Sequence, residues 1–158
     1  MALDRATVAK IVRTSVMTSV AVVNLLLLDQ FAKAAAVYFL RPVGSRTVVP
    51  GFFNLTYVEN CGAAWGVFQG QSLPLAGFAI GALILIAWKR RSIFADNVGG
   101  RFAEVLLYAG IIGNLVDRLT LGHVVDFLDF HWYSHHFPVF NFADSFITVA
   151  AALLNLQA

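Results

Sequence analysis

Charge is what this chain has least of. Asp, Glu, Lys and Arg together make up 13% of its 158 residues, against 59% hydrophobic residues and a mean hydropathy of +0.74. Soluble domains carry roughly a quarter charged residues, so the shortage excludes an ordinary soluble globule and points to an integral membrane protein. The formal net charge is only +2 and the basic residues form no long stripe, which argues against a nucleic-acid partner. A single cysteine, Cys61, excludes an intrachain disulfide, leaves the redox compartment open and reads as a small packed thiol. Repeats, low-complexity tracts and linkers are missing as well, so a single integral membrane domain over residues 1–158 is expected.

A removable leader is not expected either. Arg5, Lys10 and Arg13 precede an apolar run as they would in a signal peptide. That run continues from 14 to 40, far beyond a secretory core of about 7–15 residues, and no small-x-small site ends it. It reads as a retained span. About 20 apolar residues cross a bilayer, and further spans are expected at about 73–88, 102–121 and 139–156. Between the first two, TVVPGFFNLTYVEN alternates β-branched and aromatic residues between Pro and Gly punctuation, which predicts short strands. The expected fold is all-α and polytopic: four transmembrane helices with a small β-rich platform between helices 1 and 2.

Orientation follows from the basic residues. Arg5, Lys10, Arg13, Lys89, Arg90, Arg91 and Arg101 are seven of the 11 Lys and Arg residues, and the positive-inside bias puts their segments in the cytoplasm. Both termini are then cytoplasmic, and the platform and the acidic cluster lie toward the outer, non-cytoplasmic face. The chain ends at Ala158 with no basic tail behind the last span, which reads as a truncation.

The acidic residues are concentrated where they cost most. Asp117, Asp126, Asp129 and Asp144 are four of the seven aspartates, and all lie between Gly113 and Ser145. Carboxylates at or near hydrocarbon are tolerated mainly when they face a protein interior or a wet cavity, so such a cluster marks a functional site. Asn114, Asp117 and Arg118 have i, i+3, i+4 spacing and share a helical face. Asp117 beside Arg118 reads as a charge-compensated pair. Asn141 and Asp144 have capping-box spacing at the start of the fourth span. Asp29 and Lys33, at i, i+4, are ordered for an ion pair at the end of the first span.

Aspartates at the adjoining ends of neighbouring helices would share a proton if they met, as water-activating peptide hydrolysis requires. A transporter subunit using the carboxylates and Arg118 as an ion path is the rival, but the 73–88 span carries no ionisable group for one. A noncatalytic binding module is a second rival, and it need not keep both aspartates. His123, His131, His135 and His136 form no helical HxxxH pair; FHWY reads as an interfacial aromatic belt and residues 127–138 as a loop able to close as a lid. No metal is expected there.

Taken together, DQFAK (29–33), NCGAAWG (60–66), GNLVDR (113–118), VVDF (124–127) and FNFADS (140–145) resemble, in order and spacing, the signature blocks of lipoprotein signal peptidase, the type II signal peptidase of bacteria. The resemblance covers essentially the whole chain. It implies an aspartyl endopeptidase of the bacterial inner membrane that cleaves diacylglyceryl-modified prolipoproteins immediately before the lipidated cysteine, without a cofactor. It implies Asp126 and Asp144 as catalytic residues, with Asn60, Asn114, Arg118 and Asn141 supporting substrate and dyad. Asp29 and Lys33 would order the site, and Asp117 is assigned to Arg118 rather than to the dyad. It further implies a monomer among membrane lipids and sensitivity to cyclic-peptide inhibitors of the globomycin type.

Overall fold

A computed structural model describes residues 4–62, 67–133 and 135–156. Trp65, in the NCGAAWG block, lies outside the described residues. Four helices and four strands follow one another: α1 (Arg5–Phe39), β1 (Ser45–Val49), β2 (Phe53–Asn60), α2 (Ser72–Ile93), α3 (Val98–Thr120), β3 (Val124–Trp132), β4 (His135–His136) and α4 (Phe142–Asn155).

The distribution of side chains is inverted relative to a water-soluble protein. Phe31, Tyr38, Phe78 and Trp88 are each at least 75% exposed, whereas Asp29, Asp126 and Asn141 are among the largest fully buried side chains. Water would penalise both features. Hydrocarbon favours both, because lipid tails solvate the outer face while polar groups must pair inside. α1 and α2 are long and apolar enough to cross a bilayer. α2 keeps only Ala76 buried and carries Arg90 and Arg91 in its last turn. The basic Lys89-Arg90-Arg91 cluster therefore lies within the helix rather than ending it, favoured by the negative end of the helix dipole.

α3 is the central helix and touches α1, α2 and α4. Asn97 caps its start by accepting from the Gly100 amide at 2.8 Å, and Gly122, with φ of 78°, follows the C-cap Leu121 in the left-handed conformation that ends many helices. Close packing comes from glycine. A β-carbon on Gly110 would stand 2.5 Å from the Ala143 carbonyl oxygen, and one on Gly113 would stand 2.7 Å from Asp29 Oδ2. α4, at 14 residues, is shorter than the 139–156 run and extends about 21 Å at 1.5 Å per residue.

The sheet departs from expectation. It is four-stranded and antiparallel in the order β1-β2-β3-β4, so half of it comes from the connection between α3 and α4 rather than from between α1 and α2. The stretch read as a loop over 127–138 is largely strand. VVDFLDFHW pairs with β2 over Phe53↔Phe130 to Asn60↔Val124, which satisfies its backbone polar groups. Val125 and Phe127 of β3 pack on Ala36 and Leu40 of α1, joining sheet to bundle. Asp126 consequently sits on a strand, not at a helix end.

Candidate active site

Asp126 is fixed by what surrounds β3. Its carboxylate accepts from Asn60 Nδ2 at 2.9 Å, from the adjacent strand β2, and from Asn141 Nδ2 at 2.7 Å, from the cap of α4. Asp144 reaches the same place from the first turn of α4. It accepts from Asn114 Nδ2 of α3 at 2.7 Å and from the Asn141 backbone amide at 3.2 Å. The Asp144 amide donates in return to Asn141 Oδ1 at 2.9 Å, completing the capping box read from the sequence. Capping and site-building thus coincide: Asn141 uses its oxygen for the helix and its amide nitrogen for Asp126 and, at 3.2 Å, for Asn114 Oδ1.

Both aspartates line one cavity of about 840 Å³. Its walls also carry Asn60 and Arg118, with apolar side chains from β2, from the 137–140 segment and from Ile147 and Val149 of α4. Burial, and after it the charge of Asp144, pushes the Asp126 carboxyl from the ordinary 3.8 up to about 7, against the stabilising hydrogen bonds from Asn60 and Asn141. A carboxyl in that range gains and loses a proton near neutrality, as acid–base chemistry requires.

A second, wholly buried network lies behind the cavity. Lys33 Nζ is 2.9 Å from Asp29 Oδ2, 3.0 Å from Asp117 Oδ2 and 3.1 Å from Asn114 Oδ1. The expected Asp29–Lys33 pair is therefore present, inside the bundle rather than at its interface. Asp29 Oδ1 accepts from the Ala143 amide at 2.9 Å and Asp117 Oδ2 from the Val125 amide at 3.1 Å. Each carboxylate thus grips the backbone beside one aspartate of the cavity: Ala143 precedes Asp144, and Val125 precedes Asp126.

The pairing of Asp117 with Arg118 is corrected. Successive helical residues point about 100° apart, so Asp117 turns inward to Lys33 while Arg118 turns to the cavity. The Arg118 guanidinium donates to the carbonyl oxygens of Gly62 at 3.3 Å and Asn114 at 3.4 Å. Sequence reasoning missed Gln30, whose amide donates to Asp117 Oδ1 at 2.9 Å and to Asp29 Oδ2 and the Gly113 carbonyl, each at 3.3 Å. An amide beside Asp29 in an apolar run was the available signal.

Buried carboxylates at the wall of a cavity, inside a bundle that turns apolar surface outward, fit a membrane enzyme working by acid–base chemistry. A family model described as signal peptidase (SPase) II matches residues 21–158, and the chain belongs to this family of proteases. It is 44% identical over 131 residues to the lipoprotein signal peptidase of Syntrophotalea carbinolica, covering 81% of each chain. It is 45% identical to that of Aeromonas hydrophila over 82% of this chain and 80% of the other. A bacterial membrane enzyme solved by the in meso method at 2.3 Å resolution superposes with a TM-score of 0.79 at 32% identity, over 89% of this chain and 86% of that one. These neighbours agree with a membrane location and with the arrangement of helices around a small antiparallel sheet.

Proposed function

We propose that this protein is an aspartyl endopeptidase that removes the signal peptide from diacylglyceryl-modified prolipoproteins, cutting immediately before the lipidated cysteine. The observation that carries the mechanism is the convergence of Asp126 and Asp144 on one cavity, with the Asp126 carboxyl raised to about 7. The pair holds a single proton between them at neutral pH. The ionised carboxylate takes a proton from a water as its oxygen attacks the scissile carbonyl, and the protonated carboxyl delivers its proton to the carbonyl oxygen. Collapse of the tetrahedral intermediate transfers a proton to the leaving amine and restores the singly protonated pair.

The other residues have positioning roles in this reading. Asn60, Asn141 and Asn114 orient the two carboxylates. Arg118, anchored on two carbonyl oxygens, offers its remaining N–H groups to the substrate backbone. Asp29, Lys33 and Asp117 hold the cavity backbone.

A diacylglyceryl substrate cannot leave the bilayer cheaply, since each buried methylene contributes about 0.8 kcal/mol. The apolar wall formed by Val58, the 137–140 segment and α4 suits acyl chains or signal-peptide side chains beside the polar centre. Four spans with both termini cytoplasmic and the site toward the periplasmic face of the inner membrane complete the proposal. The enzyme acts as a monomer, and globomycin-type cyclic peptides compete for the same cavity.

The test is cleavage by purified protein in detergent of one prolipoprotein with and without its diacylglyceryl group, with product masses determined. Cleavage of the lipidated form alone, at the bond immediately before the modified cysteine, is expected. Equal cleavage of both forms would remove the lipid requirement, and an intact lipidated substrate would remove the peptidase reading.

A further inference from the structure

The hairpin that follows the Asp126 strand carries a second group of chemically competent side chains. Asp129 and His131 are two residues apart on β3 and leave the same face of the strand. His136 on β4 is the register partner of His131, and the two imidazoles stack with centroids 4.8 Å apart and planes 9° from parallel. His136 Nδ1 lies 3.0 Å from Asp129 Oδ1. The other Asp129 oxygen accepts from Thr56 at 2.9 Å and Asn54 at 3.3 Å, so β2 fixes the carboxylate and leaves Oδ1 turned toward the histidines. His131 Nδ1 is buried and without a hydrogen-bond partner among the described residues. A buried ring nitrogen left unsatisfied is unfavourable and calls for a ligand.

From this juxtaposition we infer that Asp129, His131 and His136 bind one divalent transition-metal ion, of the Zn²⁺ class, that clips β4 onto β3. Two imidazoles and an oriented carboxylate are a borderline N/O donor set, which suits Zn²⁺ and its first-row neighbours rather than Ca²⁺ or Mg²⁺. One ligand atom from each residue lies within 4.8 Å of the others. Donor atoms of a tetrahedral zinc site stand about 3.4 Å apart, given bonds of about 2.0–2.1 Å, so the Asp129–His136 pair is already close enough and the widest separation closes by at most about 1.4 Å. His136 is exposed on a two-residue strand, where its ring has room to shift that far. Water fills the fourth position.

The site is separate from the cavity's hydrogen bonds, since Asp126 is held by Asn60 and Asn141. Its role is to brace the hairpin, not to take part in peptide hydrolysis. The sequence points away from a metal because its histidines form no helical pair, whereas the donors converge across two strands.

The test is titration of the purified, tag-free full chain in detergent with Co²⁺, followed by its visible ligand-field absorption and by competition with Zn²⁺. One equivalent should bind, with affinity lowered about tenfold or more in Asp129→Asn, His131→Ala and His136→Ala and unchanged in His135→Ala. Prolipoprotein cleavage without added metal should be unchanged in His136→Ala, which keeps the readout independent of activity. Because His136 is exposed, that variant decides the matter even if His131→Ala fails to fold. Absence of saturable binding to the wild-type chain would overturn the inference. So would wild-type affinity in His136→Ala, or an equal loss in His135→Ala.

Discussion

At the scale of single residues, the site is a set of carboxylates whose surroundings give them different work. Asp126 is held near neutrality by burial and by Asp144, while Asp129, three residues along the same strand, is held below the ordinary carboxylate range. Burial acts on Asp129 too, but hydrogen bonds from His136, Thr56 and Asn54 outweigh it. The raised value at Asp126 has two consequences. Between about pH 4 and 7 the folded state holds a proton that the unfolded chain has released, so stability declines as pH rises through that window. Over the upper part of the window Asp126 loses its proton, so on the proposed mechanism cleavage should fall as pH rises through about 7. A pH profile of prolipoprotein cleavage checks the second; a rate still climbing well above pH 7 would contradict it.

Asp117 acts differently from the pair. With Lys33 buried against it, Asp117→Asn should destabilise the fold by about 3 kcal/mol, as removing one partner of a buried ion pair does, and thermal unfolding in detergent measures this.

At the scale of elements, the close approach of α3 and α4 decides whether Asp126 and Asp144 meet. Gly113→Leu would drive a side chain into Asp29 and Ala143, whereas Gly77 on α2 has nothing within 4 Å of a β-carbon. Thermal unfolding should place Gly113→Leu about 1–3 kcal/mol or more below wild type and leave Gly77→Ala near it. The helices were legible in the sequence because apolar runs of spanning length leave few alternatives. The carboxylate cluster was legible because charge near hydrocarbon is expensive. The strand β3 was not: Asp126, Asp129 and His131 break its apolar pattern, and its pairing with β2 joins segments far apart in the chain. The same distance concealed the network behind the cavity, in which Lys33 and Asn114 meet across 81 positions. Asp117 was assigned to its sequence neighbour, although its partners are Lys33, Gln30 and the Val125 amide.

At the scale of the whole molecule, the basic last turn of α2 and the exposed strand β1 are the surfaces on which orientation can be read. Arg90 at the end of α2 is paired with the buried Glu104 of α3, and exposed Lys89 lies beside it. Exposed Arg46 sits on β1 at the sheet. In whole cells of a Cys61→Ala background, a membrane-impermeant maleimide should label Arg46→Cys from outside and reach Lys89→Cys only after permeabilisation. The opposite pattern would invert the topology.

The central claim, that Asp126 and Asp144 together hydrolyse the substrate, is tested most directly on the intact enzyme. Cleavage of a diacylglyceryl prolipoprotein by wild type is set beside Asp126→Asn, Asp144→Asn and Asp117→Asn, each checked for folding. Asp126→Asn and Asp144→Asn should fold and lose at least about 100-fold in rate, while the folded fraction of Asp117→Asn keeps cleaving. A folded Asp126→Asn that still cleaves, beside a folded Asp117→Asn that does not, would move the pair to Asp117 and Asp144 and contradict the account.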